Sequence, residues 1–90
     1  MEVIYKKSFH KTLLKLPQRT QIQVKEVIEK LVQSKNLETA GVDYRKMQGF
    51  NTFYRIRVGD YRVGVEYIHP TVIVITILTR STIYKKFPSE

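Results

Sequence analysis

Two residues, Gly59-Asp60, separate two runs of alternating side chains, Thr52–Val58 and Tyr61–Ile68. A loop that short joins only adjacent antiparallel strands, and glycine supplies the positive φ that such turns require. The loop also sets the register. Val58 faces Tyr61, so Arg57 faces Arg62 and Arg55 faces Gly64. A third run, Val72–Thr79, follows the breaker His69-Pro70-Thr71 and extends the hairpin into a meander. With side chains alternating between faces, Tyr54, Ile56, Val58, Tyr61, Val63, Val65 and Tyr67 form one apolar surface. Phe53, Arg55, Arg57, Arg62, Gly64 and Glu66 form the other. Unbroken alternation along the third strand assigns Ile73, Ile75 and Ile77 to the apolar surface. It leaves Val72, Val74, Thr76, Leu78 and Arg80 on the arginine side.

The preceding half of the chain supplies the cover. Glu2–Lys6 alternates as a strand. Ser8 suits the N-cap of a short helix with Phe9, Leu13 and Leu16 on one stripe. Pro17 fits the first turn of a second helix, 17–33, whose Val24, Val27, Ile28, Leu31 and Val32 share a face. Ile22 lies off that stripe and is free to touch the first helix or a partner. Residues 34–43 lack a period and read as loop, and Tyr44–Gln48 leads to a turn at Gly49. The order β-α-α-β-β-β predicts a single α+β domain over residues 1–90. Two N-terminal helices cover one face of a small, mainly antiparallel sheet.

The charge is uneven. The net charge is +8 over 90 residues, with 16 Lys and Arg against 8 Asp and Glu. From Arg45 onward the bases are Arg45, Lys46, Arg55, Arg57, Arg62, Arg80, Lys85 and Lys86, against Asp60, Glu66 and Glu90. Such an excess favours a polyanionic partner. No apolar run approaches the ~20 residues needed to span a membrane. The start lacks the pattern of a secretory leader. With no cysteine, the reading is a cytoplasmic protein without a membrane partner.

Arg57 opposite Arg62 is unfavourable in a sheet that has only to be stable. Gly64 opposite Arg55 leaves space on the arginine side, and Arg80 should emerge near the Gly59-Asp60 turn. Four arginines therefore converge on a face free of helices. A solvated face is the plain alternative, but two acids compensate poorly, and Glu66 lies at the far end of its strand. Arginine binds phosphate bidentately and stays charged. Lys85, Lys86, Arg45 and Lys46 extend the basic surface as further phosphate contacts. No Asp/Glu/His cluster suggests a metal, and no cofactor is implied. His10 and His69 lie far apart, which disfavours a two-histidine nuclease site. Tyr84, shortly after Arg80, can orient or deprotonate a ribose 2′-OH or stack on a base. It can equally just rest on the sheet edge.

The run YRIRVGDYRVGVEY (Tyr54–Tyr67), after a β-α-α start and a Met47-Gln48-Gly49 step, precedes a strand that ends in Arg80-Ser81-Thr82-Ile83-Tyr84. This pattern resembles the RelE/ParE toxin superfamily over nearly the whole chain. The resemblance implies a toxin held inactive by a cognate antitoxin. It implies a metal-independent endoribonuclease acting on mRNA in the ribosomal A site. The 2′-OH would attack the adjacent phosphate, with Arg62, Arg80 and Tyr84 as the catalytic residues and Arg55 and Arg57 holding phosphate. Some members carry lysine at the positions of Arg55 and Arg57, and others a histidine where this chain has Thr79. Arginine effectively never loses its proton, so charge stabilisation rather than proton transfer falls to Arg55 and Arg57. Two other readings remain: a ParE-type toxin that inhibits DNA gyrase by binding, and a non-toxic member that binds an acidic partner or RNA without chemistry. For the antitoxin, an exposed row of Val72, Val74 and Leu78 is the expected apolar anchor site.

Overall fold

The computed structural model describes residues 1–88. Its elements are β1 (Glu2–Tyr5), α1 (Lys7–Leu14), α2 (Gln18–Gln33), β2 (Tyr44–Lys46), β3 (Phe53–Val58), β4 (Tyr61–Ile68), β5 (Thr71–Thr79) and α3 (Ile83–Lys86). The α+β class, the helix pair and the three-strand meander are as the sequence predicts. To these the structure adds a short strand, β2, and a one-turn helix, α3. The strands form a single sheet in the order β1-β5-β4-β3-β2. β1 runs parallel to β5, and every other pair is antiparallel.

Helix α1 lies over β5, and α2 lies against β1 and β3. Their apolar stripes meet one face of the sheet. Phe9, Leu13, Val24 and Leu31 from the helices pack with Ile56, Val58, Val63, Val65, Val72, Val74 and Ile77 from the strands. Ile22 stands outside this core, about half exposed. Pro17 takes the N-cap position of α2. Ser8 is not the cap of α1. The helix begins at Lys7, with Lys6 at the cap position, and the Ser8 hydroxyl donates to the carbonyl of Ile75 (2.6 Å).

That contact marks the point where the alternation of β5 breaks. Gly64 pairs with Thr76 and Val65 pairs with Val74, so Ile75 is an extra, unpaired residue, a β-bulge. One extra residue reverses the facing of everything on one side of it. Val72 and Val74 before the bulge and Ile77 after it all point to the helices, and all are buried. The expected exposed row of Val72, Val74 and Leu78 therefore does not exist. Two of its members are core, and half-buried Leu78 packs on the opposite side. Ile75, assigned by alternation to the helix side, also packs there.

The opposite face is not free of helices either. A second, smaller cluster forms on it from Met47, Ile83 and Phe87, with Phe53, Ile75 and Leu78 against them. Ile83 and Phe87 sit four residues apart, so both turn down onto the sheet while Tyr84 remains 59% exposed. The space at Gly64 is filled. A Cβ there would lie 2.9 Å from the Phe87 ring, closer than carbon atoms tolerate. The missing side chain thus makes room for the chain's own C-terminal segment, not for an incoming group.

Candidate functional site

The hairpin forms with the register that the loop dictates. Val58 pairs with Tyr61, Arg57 with Arg62 and Arg55 with Gly64. Gly59 adopts a positive φ of 59°. Strand β2 then extends the arginine row, because Arg45 pairs with Arg55. Two pairs of like charges therefore lie side by side across three strands. The outcome is a cavity of about 230 Å³ lined by Asp43, Arg45, Arg55, Arg57, Arg62 and Tyr84.

Each wall has its own support. Arg62 donates through Nη1 to the carbonyls of Gly59 (3.0 Å) and Tyr61 (2.9 Å), which fixes its guanidinium beside the turn. Arg55 is half-buried and stacks over the ring of Tyr84, with Cζ 4.8 Å from the centroid. That is cation–π range. Tyr84 is positioned in turn by its neighbours in and just after α3, because Ile83 and Phe87 anchor the segment in the second cluster. The backbone N–H of Arg57 donates to the carbonyl of Asp43 (2.8 Å), which binds the loop before β2 to the site. The cavity wall so holds four guanidiniums and one carboxylate, a strongly cationic surface suited to a phosphate.

The structure brings together Arg55, Arg57, Arg62 and Tyr84 as expected, and makes Arg45 the fourth arginine of the group. Arg80 does not line the cavity. It emerges at the Gly59-Asp60 turn, where its N–H donates to the Asp60 carbonyl (3.1 Å), but its side chain is exposed. The end of β5 turns there into α3, so the strand stops short of the row. Lys46 lines a neighbouring cleft, Lys86 a separate depression, and Lys85 is exposed on α3. Asp43 escaped the sequence reading. The signal for it was the pairing of YRK (44–46) with YRI (54–56), which carries Asp43 to the side of Arg57.

The remaining polar candidates are occupied elsewhere. Thr79 Oγ1 bonds the Thr82 hydroxyl at 2.7 Å and accepts from the Thr82 N–H at 3.3 Å, and so fastens the turn into α3. His10 lies against Tyr5 and Phe9, and His69 Nδ1 bonds the Tyr67 hydroxyl at 3.0 Å. Neither histidine borders the cavity. No helix among the described residues is long and apolar enough to cross a membrane.

Comparison with known proteins identifies the family. The family model of the ParE toxin of type II toxin–antitoxin systems matches residues 3–84. The protein named Toxin RelE3 of Methanocaldococcus jannaschii is 38% identical over 88 residues, which cover 98% of this chain and all of that one. A chain of the RelB–RelE antitoxin–toxin crystal structure from Methanococcus jannaschii superposes with a TM-score of 0.79 and 35% identity, over 94% of this chain and 99% of that chain. YafQ from E. coli superposes with a TM-score of 0.72 over 92% of this chain and 97% of its own, at 13% identity. That likeness is one of fold alone. The chain belongs to the RelE/ParE toxin superfamily. Within it, this is a RelE-type toxin of a toxin–antitoxin system.

Proposed function

We propose that this toxin is a metal-independent endoribonuclease that cuts mRNA in the ribosomal A site and is silenced by a cognate antitoxin. The observation that carries the reading is the cavity itself. Arg45, Arg55, Arg57 and Arg62 surround one space large enough for a phosphate, and Tyr84 is held at its edge. Such a site suits in-line attack of a ribose 2′-OH on the adjacent phosphorus. The P–O5′ bond breaks as the new P–O2′ bond forms, leaving a 2′,3′-cyclic phosphate and a free 5′-OH. Negative charge grows on the non-bridging oxygens in the transition state, and prepositioned guanidiniums stabilise it there most strongly.

Arg62 is best placed for that role, because two backbone carbonyls already fix its orientation. Arg57 and Arg55 hold the flanking phosphate. Arg55 also keeps the Tyr84 ring in place, so that the phenol can orient the 2′-OH or stack on a base. Arg80 stands outside the cavity, where it suits a neighbouring phosphate of the same strand. Thr79 has no basic group and its hydroxyl is engaged, so proton transfer falls to Tyr84 or to groups of the ribosome. The antitoxin reading draws on relatives crystallised as antitoxin–toxin complexes.

The test is to induce the chain alone and map message ends, with Arg62→Ala beside it. Cleavage within translated messages, lost in the variant, is the expected result. Intact messages at growth-inhibitory levels overturn the proposal. A second reading, gyrase inhibition by binding without RNA cleavage, is favoured by the ParE description of the matching family. It predicts that Arg62→Ala combined with Tyr84→Phe leaves growth inhibition untouched.

A further inference from the structure

A second cleft, of about 510 Å³, opens beside the arginine cavity and shares Arg45, Arg55 and Tyr84 with it. The Arg55–Tyr84 stack is the partition between the two. Beyond that partition the character of the wall changes. Phe50 brings exposed aromatic surface beside the buried Met47 and Phe87, and Gln48 and Lys46 bring a polar rim. Phe50 is 41% exposed, with its ring edge-on to Phe53 at 5.6 Å, and Phe53 is edge-on to Phe87 at the same distance. One compartment is thus mainly polar and cationic, and the next has aromatic surface and carries an amide.

We infer that this second cleft is a nucleobase subsite, and that Gln48 is its specificity-determining residue, with adenine the preferred base. The inference rests on the nucleic-acid reading of the arginine cavity. A nucleotide has a phosphate and a planar aromatic base joined by a short sugar, and the two compartments match that division. Unstacked RNA bases bind by stacking on aromatic rings and on guanidinium planes. The guanidinium of Arg55 on Tyr84 is such a layered surface already, and Phe50 offers another ring in the same cleft. A side-chain amide presents one acceptor and two donors, the pattern that pairs bidentately with the N6/N7 edge of adenine. An apolar anchor from a protein would bury Gln48, Lys46 and Arg45 without partners, whereas a base with its phosphate pairs them.

The experiment needs neither ribosome nor cleavage. The purified chain is titrated with a 2′-O-methyl ApA dinucleotide, which cannot be cut, with its UpU counterpart, and with inorganic phosphate, and is followed by NMR. ApA should shift the Met47 methyl, the Gln48 side-chain amide and the Phe50 ring together with the arginines, whereas phosphate should shift the arginines alone. ApA should bind about tenfold more tightly than UpU, and Gln48→Ala should abolish that ratio. ApA that leaves Met47 and Gln48 unmoved overturns the inference, as does a Gln48→Ala chain that retains the ratio. So does an acidic peptide that moves these signals when ApA does not, because the cleft then belongs to a protein partner. The two readings fail separately. Message ends that are identical for wild type and Gln48→Ala would leave the nuclease standing and remove the base subsite. Specific ApA binding with intact messages would do the reverse.

Discussion

The two faces of the sheet are built on opposite terms. On the helix face, thirteen buried apolar residues among those described form one continuous core, with half-buried side chains packed around it. On the other, three buried residues form a small cluster under α3, and the rest of the surface near the hairpin is a bank of arginines. A single residue couples the two halves of that second face. Gly64 lies opposite Arg55 and beneath the ring of Phe87, so the absent side chain lets the small cluster form right beside the charges. Stability is concentrated where charge is excluded, and like charges are tolerated only because the helix face holds the strands that carry them.

That contrast can be broken at its strongest point first. Phe9→Ala removes a ring that is 1% exposed and should cost about 3–5 kcal/mol. That is a large part of a typical domain's ~5–15 kcal/mol, and a urea midpoint reads it directly. A loss below ~1 kcal/mol would mean that the helix face is not the main source of stability. Next is Arg62→Ala, on the other face. Message cleavage should fall about 10²–10³-fold, as for loss of one transition-state donor, while the stability read from urea unfolding changes by less than ~0.5 kcal/mol. A variant that unfolds would show that Arg62 belongs to the scaffold.

Gly64→Ala tests the coupling between the halves. Its Cβ must displace the Phe87 ring, an overpacking change of about 1–3 kcal/mol. Cleavage should drop further than stability, because Tyr84 loses its seat on Arg55. Unchanged cleavage in a folded Gly64→Ala chain would uncouple the second cluster from the site. The smallest effect is expected of Arg57→Gln. Removal of one of two opposed charges should stabilise the free chain by about 0.2–1 kcal/mol. It should also reduce the salt slope of RNA binding by about one phosphate contact. A destabilised Arg57→Gln chain would show that the opposed pair is not under electrostatic stress.

Much of this division was legible in the chain. A two-residue loop leaves one register, so the Arg57–Arg62 and Arg55–Gly64 pairs followed by counting. The amphipathic stripes of α1 and α2 identified the covering layer in the same way. β5 resisted because Val72–Leu78 is apolar, Thr76 apart, at every position. A run with no polar phase cannot reveal where its phase changes, and the bulge at Ile75 left no mark. Its one trace is Ser8, whose hydroxyl satisfies the Ile75 carbonyl from another element, a contact that no local pattern encodes. Helix α3 is four residues long and too short for a period. Its anchors Ile83 and Phe87 become meaningful only beside the vacant side-chain position at Gly64. For the same reason Arg80 and Arg45 exchanged places. Arg80 follows the strand end into a turn, whereas Arg45 joins through a three-residue strand that propensity alone does not specify.

The opposed arginines have a consequence for the protein in a test tube. A surface that presses guanidiniums together lowers its own energy by condensing anions, so the free toxin is expected to behave as a small ion exchanger. On the proposed nuclease reading, phosphate or sulfate in a buffer should compete for the place of the RNA and, by binding only the folded chain, should raise its melting temperature above that in chloride of equal ionic strength. On that same reading, buffer anions should act as reversible inhibitors, and activity compared across buffers should reflect their occupancy of the site as much as the chemistry of the protein.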